Sequence, residues 1–398
     1  MTTMVDVVVG GQYGSEAKGH VTAQLVRQAA NERDAGVMAD LGIEVWNIRV
    51  AGPNAGHTAY DTNGEKFAFR TLPIGAVIDH DTQLYIAPGS EIDLDVLYAE
   101  IRLAEEKGHP VRGRLYMSRQ ATLIEQAHKD REAGEGLVGR VGSTGKGIGA
   151  ARADRIMRTA KLTVDAFEFG PDKDGDAQPW SWAEPEDLYA TDDHAHSRNQ
   201  HIIIEGTQGY GLSLRASGNY PQVTSSDCRS VDFLAMAGID PTRCDTNIQN
   251  WVVARVFPIR VAGNSGPMKG ETSWEELGLE AEKTTVTQKV RRVGMWDQDL
   301  LKAAVQANGG HKANVVITMI DQVVQGFDEV TDETIDKMNS GEIEPPQAFT
   351  EAVEWINAHA SADQIGAPIA GFTYSPTQIV FTSAAMRGQA GVVAEEVE

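Results

Sequence analysis

"VVVGGQYGSEAKGH", residues Val7–His20, is the stretch on which the fold turns. The largely β-branched run from Val5 to Val9 breaks at Gly10 and Gly11, as a buried strand does where it ends in a turn that approaches a ligand. A lysine follows, so a polyanion is the natural guest. The spacing departs from the usual phosphate-loop pattern, because Gly19 rather than Ser or Thr follows Lys18 and three residues separate Lys18 from Gly14. Alone, the motif is weak evidence for a phosphate site, and a plain strand-to-helix turn is the better account of it.

Working outward, apolar strand candidates recur at "EVWNIRV", "QLYIA", "RLYMS", "HIIIEG", "WVVARVFPIRVAG", "NVVITMI" and "TQIVF". Helical spacing lies between several of them. Leu94, Leu97, Tyr98, Ile101 and Ala104 share a face, with Asp93 as N-cap and Gly108 as stop; a second helix starts at Asp297 and ends at Gly309. Strands alternating with helices predict an α/β fold with a large, mostly parallel central sheet, whose ligands bind beyond the carboxyl ends of the strands.

The 398 residues are 41% hydrophobic, enough for a large core, and show neither an internal repeat nor a clear linker, so the expectation is a single domain over 1–398. Phe169 to Gln200 is polar, acidic and rich in Pro and Asp, and reads as a surface insertion. Within and beside it, His194, His196 and His201 with Asp192 and Asp193 suggest either a metal cluster or a solvated loop, the loop being the better account.

A net charge of -22 repels nucleic acid and anionic membranes, so any phosphate site is a local basic pocket. Two cysteines, Cys228 and Cys244, without a CxxC pair fit a reducing cytosol. The beginning of the chain has no signal-like segment and no stretch reaches membrane-spanning length, giving a cytoplasmic expectation.

Four further stretches resemble ligand loops. "AGPNAGHT" sets His57 after a flexible glycine; "VGSTGKGIGA" offers hydroxyls and backbone donors ahead of Arg152, Arg155 and Arg158. "IEGTQGYG" ends a strand at Gln208, whose amide can donate and accept toward a base edge. "TTVTQKVRRVG" groups threonines with Lys289, Arg291 and Arg292, suited to carboxylate or phosphate. A structural turn, an exposed helix face or a solvated basic loop remain the alternative readings of these segments.

Taken in order, the motifs resemble those of the adenylosuccinate synthetase family from about Val5 to Phe381. The family's GQWGDEGKGK stands here as "GQYGSEAKGH"; its NAGHT, TTGRGIG, EGAQG, YPxVTSS and TTGRxRRxG stand as "NAGHT" at Asn54, "STGKGIG" at Ser143, "EGTQG" at Glu205, "YPQVTSS" at Tyr220 and "TVTQKVRRVG" at Thr285. The resemblance implies a P-loop-NTPase-like fold and a Mg²⁺-dependent ligase. Such a ligase transfers the γ-phosphoryl group of a nucleoside triphosphate to the purine 6-oxygen, then lets the aspartate amine displace it.

By that resemblance, Lys18 would stabilise the phosphates and His57 the phosphorylated oxygen, with Gln208 and the residue at position 15 completing the catalytic group. Gln12, Gly14, Ser15, Glu16, Ala17, Lys18, Gly19, Gly56, His57, Thr58, Asp321, Ser375 and Pro376 would surround the triphosphate, and Ser15 and Gly56 would face Mg²⁺. Asn54, Ser143, Thr144, Arg158, Gln208 and Thr224 would hold the purine nucleotide, Arg158 across a homodimer interface; Thr285, Thr287, Lys289 and Arg291 would bind aspartate.

The departures are informative. Ser15 stands where the family has its catalytic Asp, and a neutral serine is a poor base and a weak Mg²⁺ ligand. The exchange resembles a phage branch of the family that takes dGMP in place of inosine monophosphate and feeds 2-aminoadenine DNA; Ser15 would leave room for the guanine 2-amino group. Lys289 replaces an arginine that reaches the ribose 2′-hydroxyl, fitting a deoxyribose. The guanine-reading KxD becomes "TMID", with Met319 for the lysine, pointing to ATP or dATP; Tyr374, Ser375 and Pro376 would line the base pocket. The leading reading is a dGMP–aspartate ligase. The alternatives are an ordinary adenylosuccinate synthetase using GTP, and a catalytically silent nucleotide-binding protein.

Overall fold

Side chains of consecutive strand residues point to opposite faces, so a strand apolar at every position must be buried on both. That is the situation at the centre of this protein. Val7 and Val9 join Ile202, Ile204 and Val252 in one core cluster, whereas Val8 joins Ile203 and Val253 in another. Each fully buried side chain of this kind stabilises the fold by about 1.5–3 kcal/mol.

The computed structural model describes residues 3–35, 43–50, 52–167, 178–188, 199–243, 246–284 and 289–381. Among them a ten-stranded sheet runs in the order Ile379–Phe381, Ile369–Thr373, Asn314–Thr318, Thr246–Arg255, Thr3–Gly10, Asn199–Glu205, Ile43–Arg49, Gln83–Ile86, Leu115–Met117 and Ser181–Trp182. Every neighbouring pair is parallel except the edge pair Ile369–Thr373 with Ile379–Phe381. The sheet is thus mostly parallel and flanked by helices, as the alternation of elements predicted. The helix Lys18–Asp34 packs Val21, Leu25, Val26 and Ala29 against one face.

Three local expectations change. Asp93 occupies the N-cap of Leu94–Glu106, but its side chain does not cap the helix; Lys129 Nζ donates to it at 2.6 Å. The span 169–200 is not all surface: Trp180 and Leu188 are buried and Ser181–Trp182 forms a sheet edge, because the sheet gains a tenth strand there. His201 belongs to the sheet, with Nε2 2.6 Å from Asp6 Oδ2, whereas His194, His196, Asp192 and Asp193 lie outside the described residues.

Candidate active site

The C-terminal ends of the central strands converge on one edge of the sheet, where doubly covered parallel sheets bind ligands. Arg49, Glu205 and Arg255 are the last residues of their strands, and each is only 1% exposed. Buried charges at adjacent strand ends need partners, and those partners build the site.

The turn after Gly10 is organised from within. Glu16 accepts hydrogen bonds from Gln12 N (3.1 Å) and Gly14 N (2.6 Å), and its other oxygen meets Lys18 Nζ at 2.9 Å. Lys18 also donates to Gly14 O at 3.1 Å. An anion therefore already sits in this nest of amides, supplied by the loop itself. Gln12 anchors the loop to the neighbouring strand end, donating to Arg255 O at 2.9 Å and accepting from Arg255 N at 3.1 Å. Ala17 takes a left-handed conformation just before the helix, and Gly19 lets the His57–Tyr60 strand approach, since a Cβ there would lie 2.9 Å from Thr58 O.

A second loop closes over the first. Gly14 has φ +102°, and a Cβ would stand 2.9 Å from Gln208 Cα; Gln208 is itself left-handed at φ 60°. Gly211 N donates to Gln12 O at 2.7 Å. The two glycine-rich stretches noted in the sequence are therefore one structure.

His57 lies buried beside this junction. Its Nδ1 is 2.7 Å from Glu205 Oε2 and its Nε2 is 3.0 Å from Leu72 O. Both partners offer acceptor oxygens, so the ring is held in place from its two edges. Arg49 completes the group, 2.7 Å from the other Glu205 oxygen. Burial alone would push the Glu205 carboxyl up, but the Arg49 and His57 charges override it and hold it at about 2.

The basic cluster divides. Arg291 Nη1 donates to Ser15 Oγ at 2.7 Å, bringing two candidates together from opposite ends of the chain. Lys289 is exposed and its backbone pairs with Thr284. Thr285 and Thr287 lie outside the described residues.

The remaining candidates are arranged as follows. Asn54 and Thr224 are half-buried and Thr144 is exposed, while Ser143 Oγ donates to Glu132 at 3.2 Å. Thr58 lies in the strand that starts at His57. Arg158 is exposed at the end of Ile148–Met157, beside Ile156 (74% exposed) and Met157 (70% exposed). Asp321 follows left-handed Met319, and burial pushes its carboxyl up. Ser375 Oγ accepts from Gln378 N at 2.9 Å within the turn that holds exposed Pro376. Tyr374, just past the strand Ile369–Thr373, has its ring buried and stacked on Phe327, with centroids 4.7 Å apart.

At the two positions expected to face Mg²⁺, the Ser15 hydroxyl accepts from the Arg291 guanidinium and Gly56 is exposed, while the neighbouring Glu16 carboxylate pairs with Lys18. Among the described residues there is no group of three or more His, Cys, Asp or Glu placed to hold a metal, and no helix long and apolar enough to cross a membrane.

Sequence reasoning overlooked Arg49, Glu205 as the partner of His57, and Arg255 with its partner Glu282. One signal was available: a charged residue closing a wholly apolar strand, as in "HIIIE", marks a buried charge that must be paired.

This edge gathers a lysine-bearing loop, a buried acid–histidine pair and a guanidinium cluster at the carboxyl ends of parallel strands, where α/β folds place their ligand sites. The chain belongs to the adenylosuccinate synthetase family, whose model, "Adenylosuccinate synthetase", matches residues 7–172 and 186–354. It is 36% identical to the adenylosuccinate synthetase of Thermococcus sibiricus over 82% of this chain and 86% of that one. The Pyrococcus horikoshii enzyme of the same name is 34% identical over 91% and 93%. The structure is similar to cyanophage S-2L succinoaminodeoxyadenylate synthetase bound to dGMP and dATP as an energy donor, with TM-score 0.72, 26% identity, and 96% of each chain covered. The Plasmodium falciparum adenylosuccinate synthetase shares the fold, with TM-score 0.69, 18% identity, and 95% of this chain and 100% of that chain covered.

Proposed function

We propose that this C–N ligase joins L-aspartate to the purine 6-position of dGMP, using ATP or dATP, to give 2-amino-2′-deoxy-N6-succinyl-AMP for 2-aminoadenine DNA. One observation carries the reading: the loop position that bears the family's catalytic Asp holds Ser15, whose hydroxyl is turned to Arg291. A neutral side chain there leaves space and a lone pair for the guanine 2-amino group. The likeness to a phage synthetase bound to dGMP and dATP supports it.

In this reading the γ-phosphoryl group passes to the purine 6-oxygen and phosphate then leaves as the aspartate amine bonds to C6. Lys18 exchanges Glu16 for phosphate oxygens, and His57 releases Leu72 O to donate to the 6-phosphoryl oxygen while Glu205 holds its Nδ1. Gln208, Asn54, Ser143, Thr144 and Thr224 hold the nucleotide, and Thr285, Thr287, Lys289 and Arg291 hold aspartate. Arg158 serves a second copy in a homodimer; exposed Ile156 and Met157 beside it support that assembly. Mg²⁺, faced by Ser15 and Gly56, would neutralise charge on the triphosphate, and the reaction runs in the cytoplasm, a host's if the source is a phage.

The second reading, synthesis of adenylosuccinate from inosine monophosphate, rests on the archaeal relatives. The deciding experiment measures aspartate-dependent phosphate release with Mg²⁺ and ATP on dGMP against inosine monophosphate, with the product mass identified. Preference for inosine monophosphate overturns the dGMP reading. Release that needs neither the nucleotide nor aspartate overturns both.

A further inference from the structure

Five hydrogen bonds close a ring around Ser15. Its Oγ accepts from Arg291 Nη1 at 2.7 Å; Arg291 N donates to Glu282 O at 2.8 Å; the Glu282 carboxylate accepts from both Arg255 terminal nitrogens, Nη1 at 3.2 Å; and Arg255 Nη1 donates to Ser15 O at 3.4 Å. The ring ties together three pieces remote in sequence: the phosphate loop, the end of the Thr246–Arg255 strand, and the paired segments 282–284 and 289–291. Thr284 N donates to Lys289 O at 2.9 Å and Lys283 bridges Val290, so these segments form a short antiparallel ladder. Their backbone bonds do not require the Glu282 side chain.

That carboxylate instead serves two cations. Arg255 and Arg291 both reach Ser15, one at its carbonyl and one at its hydroxyl; Glu282 pairs directly with Arg255 and its charge also acts on Arg291. Without it, two guanidiniums would converge on one serine with no counter-charge, and the paired segments would swing away.

We infer that Glu282 and Arg255 are positioning residues that hold the paired segments 282–284 and 289–291, and with them Arg291, against the phosphate loop, and so set the affinity for the dicarboxylate amino acid. This rests on the ligase reading above. The experiment uses the full chain with Glu282→Gln and Glu282→Asp. KM is measured separately for L-aspartate, dGMP and ATP, together with Tm and the rate of tryptic cleavage after exposed Lys289. Glu282→Gln is expected to raise KM for aspartate roughly tenfold, with KM for dGMP and Tm unchanged and cleavage after Lys289 faster; Glu282→Asp restores most of the loss. Parallel loss of all three affinities with a lower Tm would reduce Glu282 to a structural role, and unchanged aspartate KM and cleavage would overturn the positioning role. If the wild type fails to ligate while Glu282→Gln still selectively speeds cleavage after Lys289, the ligase reading falls and the positioning role stands.

Discussion

Glu205 Oε2 lies 2.7 Å from His57 Nδ1, across 148 positions of sequence. Arg49, the register partner of Glu205 on the adjacent strand, neutralises the same carboxylate. The histidine is therefore aimed by a buried ion pair built into the strand register, and this sets its orientation before any substrate arrives.

Glu205→Gln is expected to lower kcat about tenfold or more, since correctly placed acid–base and donor groups each contribute about 10²–10⁴, and to destabilise the fold. The folded carboxyl sits at about 2 against an ordinary 4.5. A depressed value stabilises at pH above the unfolded value, and that stability disappears as pH falls from about 4.5 toward 2. The shift corresponds to roughly 3 kcal/mol. Urea denaturation at pH 7 and pH 3 should show the wild type losing stability in acid and Glu205→Gln losing far less over that interval.

Gly14→Ala tests the junction of the two loops. The backbone there is left-handed and the new Cβ would press on Gln208 Cα at 2.9 Å. Strain of about 1–3 kcal/mol is expected, with kcat/KM falling on the order of 100-fold from displaced catalytic groups. Circular dichroism should show the fold retained. An active variant with unchanged kcat/KM would separate Gln208 from the chemistry.

Ser15→Asp sets a carboxylate against Arg291 and beside the space proposed for the guanine 2-amino group. Turnover of dGMP should fall about 10- to 100-fold. Unchanged or improved dGMP turnover would refute the steric account of Ser15.

Asp6→Asn probes the far end of the sheet, where Asp6 accepts from His201 Nε2 at 2.6 Å and Trp251 Nε1 at 2.8 Å. Burial alone would push the His201 imidazole down, but Asp6 overrides it and holds it above its ordinary value. A raised value stabilises below the unfolded value of about 6.5 and is lost as pH rises through the folded one. The wild type should lose stability on moving from pH 6 to pH 9. Asp6→Asn should be less stable at pH 6 by roughly 2–4 kcal/mol and lack that alkaline loss.

Much of the framework was legible because it depends on local pattern. The run around Val7–Val9, "HIIIEG" and "NVVITMI" read as buried strands, since burial on both faces demands continuous apolar residues. Asp297 was legible as a cap for the same local reason, and its side chain accepts from Leu300 N at 3.1 Å. Asp93 carried an identical signal, but Lys129 takes its carboxylate, an event decided 36 residues away.

The sequence by itself determined the α/β architecture, the order of the ligand loops and the family, because apolar periodicity and short glycine-rich motifs need no knowledge of distant residues. Tertiary structure alone decided which charges meet: Glu205 with Arg49 and His57, Glu16 with Lys18 inside the loop, and Arg291 with Ser15. For Glu205 and Arg49 the pairing depends on strand order and register, and a shift of one residue would turn either side chain to the opposite face of the sheet.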